Sequence, residues 1–193
     1  TIQDLGAGGI KVFHAVDKDS NDPGAVARGR GDVTSICRRI VISDNTIRDG
    51  GSYYRQAVGV LVGKCSGVQV VHNDIHDFDY TGISVGWTWG YAESRAFGNI
   101  IEYNHIYNIG RGALSDMGGI YLLGVAPGTR LRYNHIHDVV SRGYGGWGIY
   151  TDEGSTDVLI ESNLVYDTSV SGFHQHYGRR NIIQNNIFAY GRK

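Results

Sequence analysis

The stretch "LRYNHIHD", residues 131–138, decides the fold, because five other stretches of the chain share its pattern. Each has Asn at its fourth position, with apolar side chains on alternate positions around it. The six stretches are "ISDNTIRD" (42–49), "VVHNDIHD" (70–77), "IEYNHIYN" (101–108), "LRYNHIHD" (131–138), "IESNLVYD" (160–167) and "IIQNNIFA" (182–189). A period of two is typical of strands, so each stretch predicts one strand before the Asn and another after it.

A second repeated element, led by Gly, lies between these stretches. Its copies are "GIKV" (9–12), "GVLV" (59–62), "GISV" (82–85), "GIYL" (119–122), "GIYT" (148–151) and "GFHQ" (172–175). Three short strands in a repeat of about 22 residues predict an all-β fold, a right-handed parallel β-helix (solenoid) in which each turn of chain is a rung stacked on the last. We expect about six rungs in a single domain over residues 1–193, with loop insertions flanking one sheet.

Equivalent residues of stacked rungs form columns, about 4.8 Å apart. We interpret the Asn column as scaffold, since Asn tolerates a left-handed bend and stacked amides can hydrogen-bond between rungs. This column comprises Asn45, Asn73, Asn104, Asn134, Asn163 and Asn185. We interpret the residues four positions later as strand ends rather than catalytic acids: Asp49, Asp77, Asn108, Asp138, Asp167 and Ala189. Cys37 and Cys65 share a column of small side chains, where the spacing allows a disulfide bond or a stacked pair of buried thiols.

Extra sequence falls on the two sides of the Gly-led strand column, and none falls at the Asn bend. Two long insertions follow the Gly-led strand, at residues 13–36 and 86–98. Three shorter ones precede it, around "GGSYYRQ" (50–56), "GRGALSD" (110–116) and "SRGYGGW" (141–147). Loops on both sides of one sheet form the walls of a groove, and loops on a rigid scaffold often carry function. We therefore expect a functional groove whose floor is the outward face of the Gly-led strands.

The strand alternation predicts which side chains line this floor, because Ile120 and its equivalents point inward. The outward set is Lys11, Leu61, Ser84, Tyr121, Tyr150 and His174, followed by Leu123, Asp152 and His176. Asp152 is expected beside His176, one strand spacing away, with Tyr121, Tyr150 and His174 as stacked neighbours.

Aromatic side chains beside carboxylates suit a sugar ring, whose C–H face stacks on them. The predicted substrate-binding residues are Trp87, Trp89, Tyr121, Trp147, Tyr150, His174 and His176. Glycoside hydrolysis needs one carboxylic acid to protonate the leaving oxygen and a second carboxylate as nucleophile or base. Asp116 and Asp152 are the preferred catalytic pair, entering the groove from consecutive rungs. Glu153 is the competitor, and it faces the groove if the strand ends one residue early.

Two other functions compete with hydrolysis. A polysaccharide lyase or epimerase needs cationic groups to neutralise a uronate. The floor centre has no Lys or Arg, but Lys11 lies at one end, and Arg111 and Arg142 lie in loops that could reach in. A non-catalytic carbohydrate-binding rod would have aromatic side chains without an acid pair.

The 18 basic and 19 acidic side chains give no electrostatic argument for nucleic acid or a membrane surface as partner. No apolar run approaches the roughly 20 residues of a membrane span. Several histidines fall on the other faces, where we expect polar stacking rather than metal binding, and we expect no cofactor; they are His72, His76, His105, His135 and His137. The chain ends directly after a repeat, so we expect a piece of a longer protein, with the remaining rungs of that protein as its partner.

Four segments resemble right-handed parallel β-helix carbohydrate-active enzymes and are most similar to glycoside hydrolase family 141. They are "HNDIHDFDYTGISVGWTWGY" (72–91), "LSDMGGIYLLG" (114–124), "GGWGIYTDEGS" (145–155) and "GFHQHYG" (172–178). That family includes an α-L-fucosidase acting on pectic side chains and xylan-degrading members, commonly secreted or periplasmic. The resemblance implies a glycoside hydrolase acting on xylan or fucosylated pectin, secreted or periplasmic, with Asp116 and Asp152 as its catalytic pair. It also implies that the chain is the central to C-terminal part of the enzyme.

Overall fold

The computed structural model describes residues 1–13 and 37–192, in which all regular secondary structure is β-strand. The strands, numbered in chain order, form three sheets of six and one small pair. The groove sheet contains the Gly-led strands β1 (Ile10–Phe13), β4 (Val60–Gly63), β7 (Ile83–Gly86), β10 (Gly118–Leu123), β13 (Trp147–Thr151) and β17 (Phe173–Gln175). Neighbouring strands of this sheet are parallel, and Ile83, Ile120 and Ile149 are in register.

The other two large sheets contain the strands on either side of the Asn bend. The second sheet comprises β2 (Val41–Ser43), β5 (Gln69–Val71), β8 (Ile100–Glu102), β11 (Arg130–Arg132), β15 (Leu159–Glu161) and β19 (Ile182–Gln184). The third sheet comprises β3 (Thr46–Gly50), β6 (Asp74–Phe78), β9 (His105–Ile109), β12 (His135–Val139), β16 (Leu164–Thr168) and β20 (Ile187–Gly191). The small pair is β14 (Ser155–Thr156) with β18 (Gly178–Arg179). Each turn of chain thus adds one parallel strand to each large sheet, as the repeat predicts.

The core is the space enclosed by the three large sheets. Each sheet contributes a column of aliphatic side chains that are 0% exposed, such as Ile120, Leu131 and Ile136 from one rung. Branched aliphatic side chains pack well against a pleated surface, which explains why Ile and Val recur at these positions. Among residues 1–13 and 37–192, no helix is long and apolar enough to cross a membrane.

The Asn column is a buried hydrogen-bond ladder. The Asn104 side-chain amide donates to the Val70 carbonyl (2.8 Å) and to Oδ1 of Asn134 (3.0 Å), which also accepts the Asn104 backbone N–H (3.1 Å). The Asn residues therefore connect each rung to both of its neighbours. The expectation that they adopt the left-handed conformation is wrong, because that role belongs to the residue before each of them. The φ angles there lie between 55° and 57°, at Asp44, His72, Tyr103, Tyr133, Ser162 and Asn185.

The last repeat is shifted by one residue from its sequence alignment. Asn163 donates to Oδ1 of Asn186 (2.9 Å), and Leu164 pairs with Ile187, so the ladder residue is Asn186 and the predicted Asn185 is the bend residue. Two consecutive Asn residues made the alignment ambiguous, and strand pairing resolves it. The strand-end column correspondingly finishes at Tyr190 rather than Ala189. All six of its residues have φ between 51° and 60°, namely Asp49, Asp77, Asn108, Asp138, Asp167 and Tyr190, which supports a structural role.

Gly recurs at the start of the groove-sheet strands because the neighbouring third sheet leaves no room for a side chain there. A Cβ at Gly119 would lie 2.5 Å from Cγ2 of Ile136 and 2.8 Å from the carbonyl oxygen of Gly148. Gly82 and Gly148 have equivalent contacts with the third sheet and with the next Gly along the column. The third sheet and the groove sheet are therefore too close at this corner to admit a Cβ atom.

The two cysteines do not form a disulfide bond. Cys37 and Cys65 are both thiols. Cys37 is in register with Cys65, but it is only partly buried, whereas Cys65 is buried. Ala96, Ala126 and Ser155 are at most 1% exposed, as predicted for small inward side chains. Val125 pairs with Thr156, however, so Ala126 and Ser155 are not directly opposite. Residues 14–36 of the first insertion lie outside the described residues.

We predict that Gly119→Ala lowers the free energy of unfolding by about 1–3 kcal/mol, because the added methyl group overpacks the corner. Gly143→Ala is the matched control, since a Cβ there would meet the Ser115 hydroxyl at 3.5 Å and nothing closer; its effect should stay within about 0.5 kcal/mol. Chemical denaturation measures both. Equal effects of the two substitutions would contradict the steric explanation of the Gly column.

We also predict that Asn134→Ala costs about 2–4 kcal/mol, because it leaves buried backbone groups of Ile101 and Asn104 without partners. Asn185→Gly should change stability by less than about 0.5 kcal/mol, since Gly accepts a positive φ readily. Thermal and chemical denaturation provide the comparison. A large cost at Asn185 would mean that the last rung has the register of the sequence alignment.

Candidate active site

The centre of the candidate site is Asp152, which follows β13 directly. Its Oδ1 lies 2.9 Å from Nδ1 of His176, and its Oδ2 accepts a hydrogen bond from the Tyr121 hydroxyl at 2.5 Å. The parallel register brings these groups together, because Tyr121 pairs with Tyr150 in the neighbouring strand and Tyr150 pairs with His174 in the next. The predicted contact of Asp152 with His176 is confirmed, and so is the neighbourhood of Tyr121, Tyr150 and His174.

Asp152 is 8% exposed, yet it is arranged to carry a negative charge. Burial acts to raise its pKa, but hydrogen bonds from Tyr121, His176 and Tyr150 outweigh burial, and the pKa lies below its ordinary value. Burial and interaction with Asp152 raise the pKa values of Tyr121 and Tyr150, so both hydroxyls keep their protons. The result is an ionised carboxylate that accepts hydrogen bonds from two protonated tyrosine hydroxyls.

Asp116 is more exposed than Asp152, and its pKa is shifted in the opposite direction. It lies in the turn before β10, with φ at 56°, where its N–H donates to the Tyr144 carbonyl (2.7 Å) and its carbonyl accepts from the Tyr80 hydroxyl (2.9 Å). Partial burial of its carboxyl group, although the residue as a whole is exposed, and the nearby charge of Asp152 raise its pKa, against smaller opposing contributions from Tyr150 and the two histidines of the groove. One carboxyl group is thus biased toward the acid form and its neighbour toward the carboxylate, as acid/base catalysis requires.

Glu153 lies apart from this pair. It is partly exposed, and its Oε2 accepts a hydrogen bond from the Tyr177 hydroxyl at 3.1 Å. β13 ends at Thr151, and Asp152 is the residue that contacts Tyr121 and His176. The geometry therefore favours Asp152 over Glu153, while the catalytic role of all three acids stays a prediction.

The aromatic residues divide into buried supports and exposed surfaces. Trp147 is 3% exposed and stacks on His174, with ring centroids 4.2 Å apart and an angle of 8° between the planes. It belongs to a second apolar cluster with Tyr121, Leu123 and Tyr150. The expectation that Trp147 forms an inserted wall is wrong, because it is the first residue of β13 and is packed beneath the site.

Trp87 and Trp89 remain as accessible rings. Trp89 is 59% exposed and meets the edge of Trp87 at 5.6 Å, while Trp87 donates from Nε1 to the Ser84 hydroxyl. Tyr80 is not among the site residues predicted from sequence, and burial and the charge of Asp116 raise its pKa to about 12. Its position just before a Gly-led strand, where other groove residues occur, was the available signal.

A cavity of about 400 Å³ extends the groove toward the first rungs. Lys11, Leu61, Tyr80 and Trp87 line it, so Tyr80 joins this cavity to the backbone of Asp116. Arg111 instead binds Asp79, with its Nη2 2.6 Å from Oδ1, and Arg142 is exposed. Among the described residues, the cationic side chain that lines this cavity is Lys11, at the end of the groove where the sequence predicts it.

Comparison with known proteins supports the architecture. A family model described as "Right handed beta helix region" matches residues 1–143 and 94–192, which confirms the predicted fold class and its hand. A solved structure described as "Glycoside hydrolase" matches 96% of this chain with a TM-score of 0.79 and 23% sequence identity. The match covers 31% of that protein, so the chain spans less than a third of its length, and at this identity the likeness shows the fold alone. No curated protein matches the chain significantly.

We predict that Tyr121→Phe raises the pKa of Asp152, because it removes a hydrogen bond to the ionised carboxylate. Carboxyl NMR titration measures the shift. Tyr177→Phe is the matched control, since its hydroxyl binds Glu153 instead, and it should leave the Asp152 titration unchanged.

The same variant has a pH-dependent effect on stability. Because the folded-state pKa of Asp152 is depressed, its stabilising effect is present above the unfolded-state pKa and is lost as the pH falls through the folded-state pKa. The stability difference between wild type and Tyr121→Phe should shrink over that acidic range. A constant difference would contradict the inferred hydrogen bond to an ionised Asp152.

Proposed function

Because the chain belongs to the family of right-handed β-helix proteins, we propose that its groove hydrolyses a glycosidic bond of a polysaccharide. The observation that carries the proposal is the pair of carboxyl groups with opposite pKa shifts on one outward face. The likeness of the fold to a structure described as a glycoside hydrolase supports it by analogy.

Asp116 is the general acid in this proposal. Its raised pKa keeps a proton available for the leaving glycosidic oxygen. Asp152 is the partner carboxylate, which either attacks the anomeric carbon or removes a proton from the attacking water. Tyr121 and His176 fix the orientation of Asp152 by binding one oxygen each.

The sugar-binding surface extends from this pair toward Trp87 and Trp89. The exposed Trp89 ring offers a face for the C–H side of a sugar, and the cavity beside Trp87 accommodates a neighbouring residue of the polymer. By the resemblance described above, the proposed substrates are xylan or fucosylated pectin, and the proposed location is secreted or periplasmic. We also propose that the chain is part of a longer protein, whose remaining rungs would lengthen the same groove.

The two alternative functions are weaker. A lyase would need a cation at the reacting uronate, but Arg111 is engaged by Asp79 and Lys11 lies at the far end of the groove. A non-catalytic carbohydrate-binding protein would share the exposed Trp89. It would not need one acid biased toward protonation beside another biased toward ionisation.

We predict that Asp116→Asn and Asp152→Asn each lower the hydrolysis rate by about 10²–10⁴-fold, because each removes a group that exchanges a proton or attacks the sugar. Glu153→Gln should retain most of the activity. The assay measures release of reducing ends from xylan and fucosylated pectin by the intact parent protein, with circular dichroism to check the fold of each variant.

Three outcomes would change the proposal. Products containing an unsaturated uronate would establish a lyase instead. Loss of activity in Glu153→Gln but not in Asp152→Asn would move the catalytic role to Glu153. Polysaccharide binding without product formation by the wild type would favour the binding protein.

A further inference from the structure

Three imidazole rings meet on the outward face of the third sheet, away from the groove sheet. His105 lies in β9, and His135 and His137 lie in the adjacent strand β12, where His135 is in register with His105. We call these three side chains the histidine cluster. One ring nitrogen of each lies within 4.8 Å of those of the other two.

The nitrogen separations suit a single small cation. Nε2 of His105 lies 2.9 Å from Nε2 of His137. Around a tetrahedral Zn²⁺ with Zn–N bonds of about 2.0–2.1 Å, ligand nitrogens are about 3.3 Å apart. Slight separation of His105 from His137 and approach of His135 would place all three nitrogens on one ion.

The opposite ring nitrogens of two of these residues face carboxylates. Nδ1 of His137 lies 2.8 Å from Oδ2 of Asp138, and Nδ1 of His105 lies 3.1 Å from Oδ1 of Asp74. That oxygen of Asp74 is buried and has no well-aligned hydrogen bond in the described structure, so His105 is the donor that faces it. A carboxylate behind the ring is the usual support of a metal-binding histidine, because it fixes the tautomer and the ring orientation.

These contacts create an electrostatic conflict between His105 and His137. If each ring places its hydrogen on Nδ1 to serve a carboxylate, both Nε2 atoms present lone pairs to one another at 2.9 Å. A proton or a metal ion between them removes the repulsion.

We propose that His105, His135 and His137 bind one divalent transition-metal ion, for which Zn²⁺ is the best fit. Imidazole nitrogens suit Zn²⁺ and its neighbours in the first transition row. The Tyr166 hydroxyl, 3.1 Å from Nε2 of His135, or a water molecule completes a four-coordinate site. The ion clamps β9 to β12 and, through Tyr166, to β16. Stacking of His105 on His135 agrees with the sequence-based expectation, but stacking does not explain why the nitrogens converge.

The test is titration of the metal-free protein with Zn²⁺ by calorimetry and with Co²⁺ by visible absorption. We expect one saturable equivalent, a rise in melting temperature with Zn²⁺, and Co²⁺ bands of a four-coordinate nitrogen-rich site. His105→Gln and His137→Gln should each weaken binding by at least about 100-fold, and Asp74→Asn by about 10-fold or more. His72→Gln is the matched control, because His72 is an exposed histidine that stacks on Tyr103 outside the cluster.

The proposal is overturned if the wild type shows no saturable binding of either ion. It is also overturned if folded His137→Gln binds as tightly as the wild type, or if His72→Gln loses affinity equally. Should a cluster variant fail to fold, the Co²⁺ spectrum of the wild type decides, since the absence of four-coordinate bands excludes the site. These measurements are independent of whether the groove is catalytic.

Discussion

The structure depends on the hydrogen bonds that connect each rung to the next, and the Asn ladder is where they are most constrained. A parallel ladder fixes the spacing of neighbouring strands but leaves their register open to slippage by two residues. A buried Asn amide must meet one particular carbonyl and one particular neighbouring amide, so a slipped rung would bury unpaired polar groups. At Asn134, the side chain bonds the backbone of the previous rung and the amide of the following one. Each Asn therefore sets the register of two interfaces.

The candidate site is a product of that register. Asp152 and His176 are 24 positions apart in sequence, and they meet because their strands add to the groove sheet in succession. The aromatic cluster beneath them provides an environment of low polarity, which the surface of an open sheet does not have. In such an environment, hydrogen bonds from hydroxyl groups stabilise a carboxylate more strongly than they do in water. Fold and chemistry are linked here through burial. Hydrogen bonds lower the pKa of Asp152 against its burial, while partial burial and the charge of Asp152 raise the pKa of Asp116.

Prediction from sequence succeeded where strand periodicity determines the direction of a side chain and its neighbours in the next rung. The outward direction of Asp152 and its proximity to His176 follow from alternation and rung spacing alone. Prediction failed where loop conformation or side-chain rotamers determine the position of a functional group. Alternation from the inward Ile149 would place Trp147 on the core side, but its ring stacks on His174 of the outward face and meets Tyr144 edge-on. Strand periodicity alone does not report this arrangement. The repeat placed the histidine cluster on one face, whereas the convergence of its nitrogens depends on the side-chain torsions that Asp74 and Asp138 select.

The parallel register also limits how such a protein can change. Positions on the groove sheet exist only at intervals of one strand spacing, about 4.8 Å along the axis, and two residues along each strand. A deletion or insertion within a strand would rotate every later residue of that rung out of its column. Loops beside the groove sheet can change in length, because the strands at their two ends stay in the same register. On this scaffold, a new contact in the groove therefore arises by substitution at an existing strand position or by insertion into a loop. Movement of a strand is a rare route, because it would change the register of the whole rung.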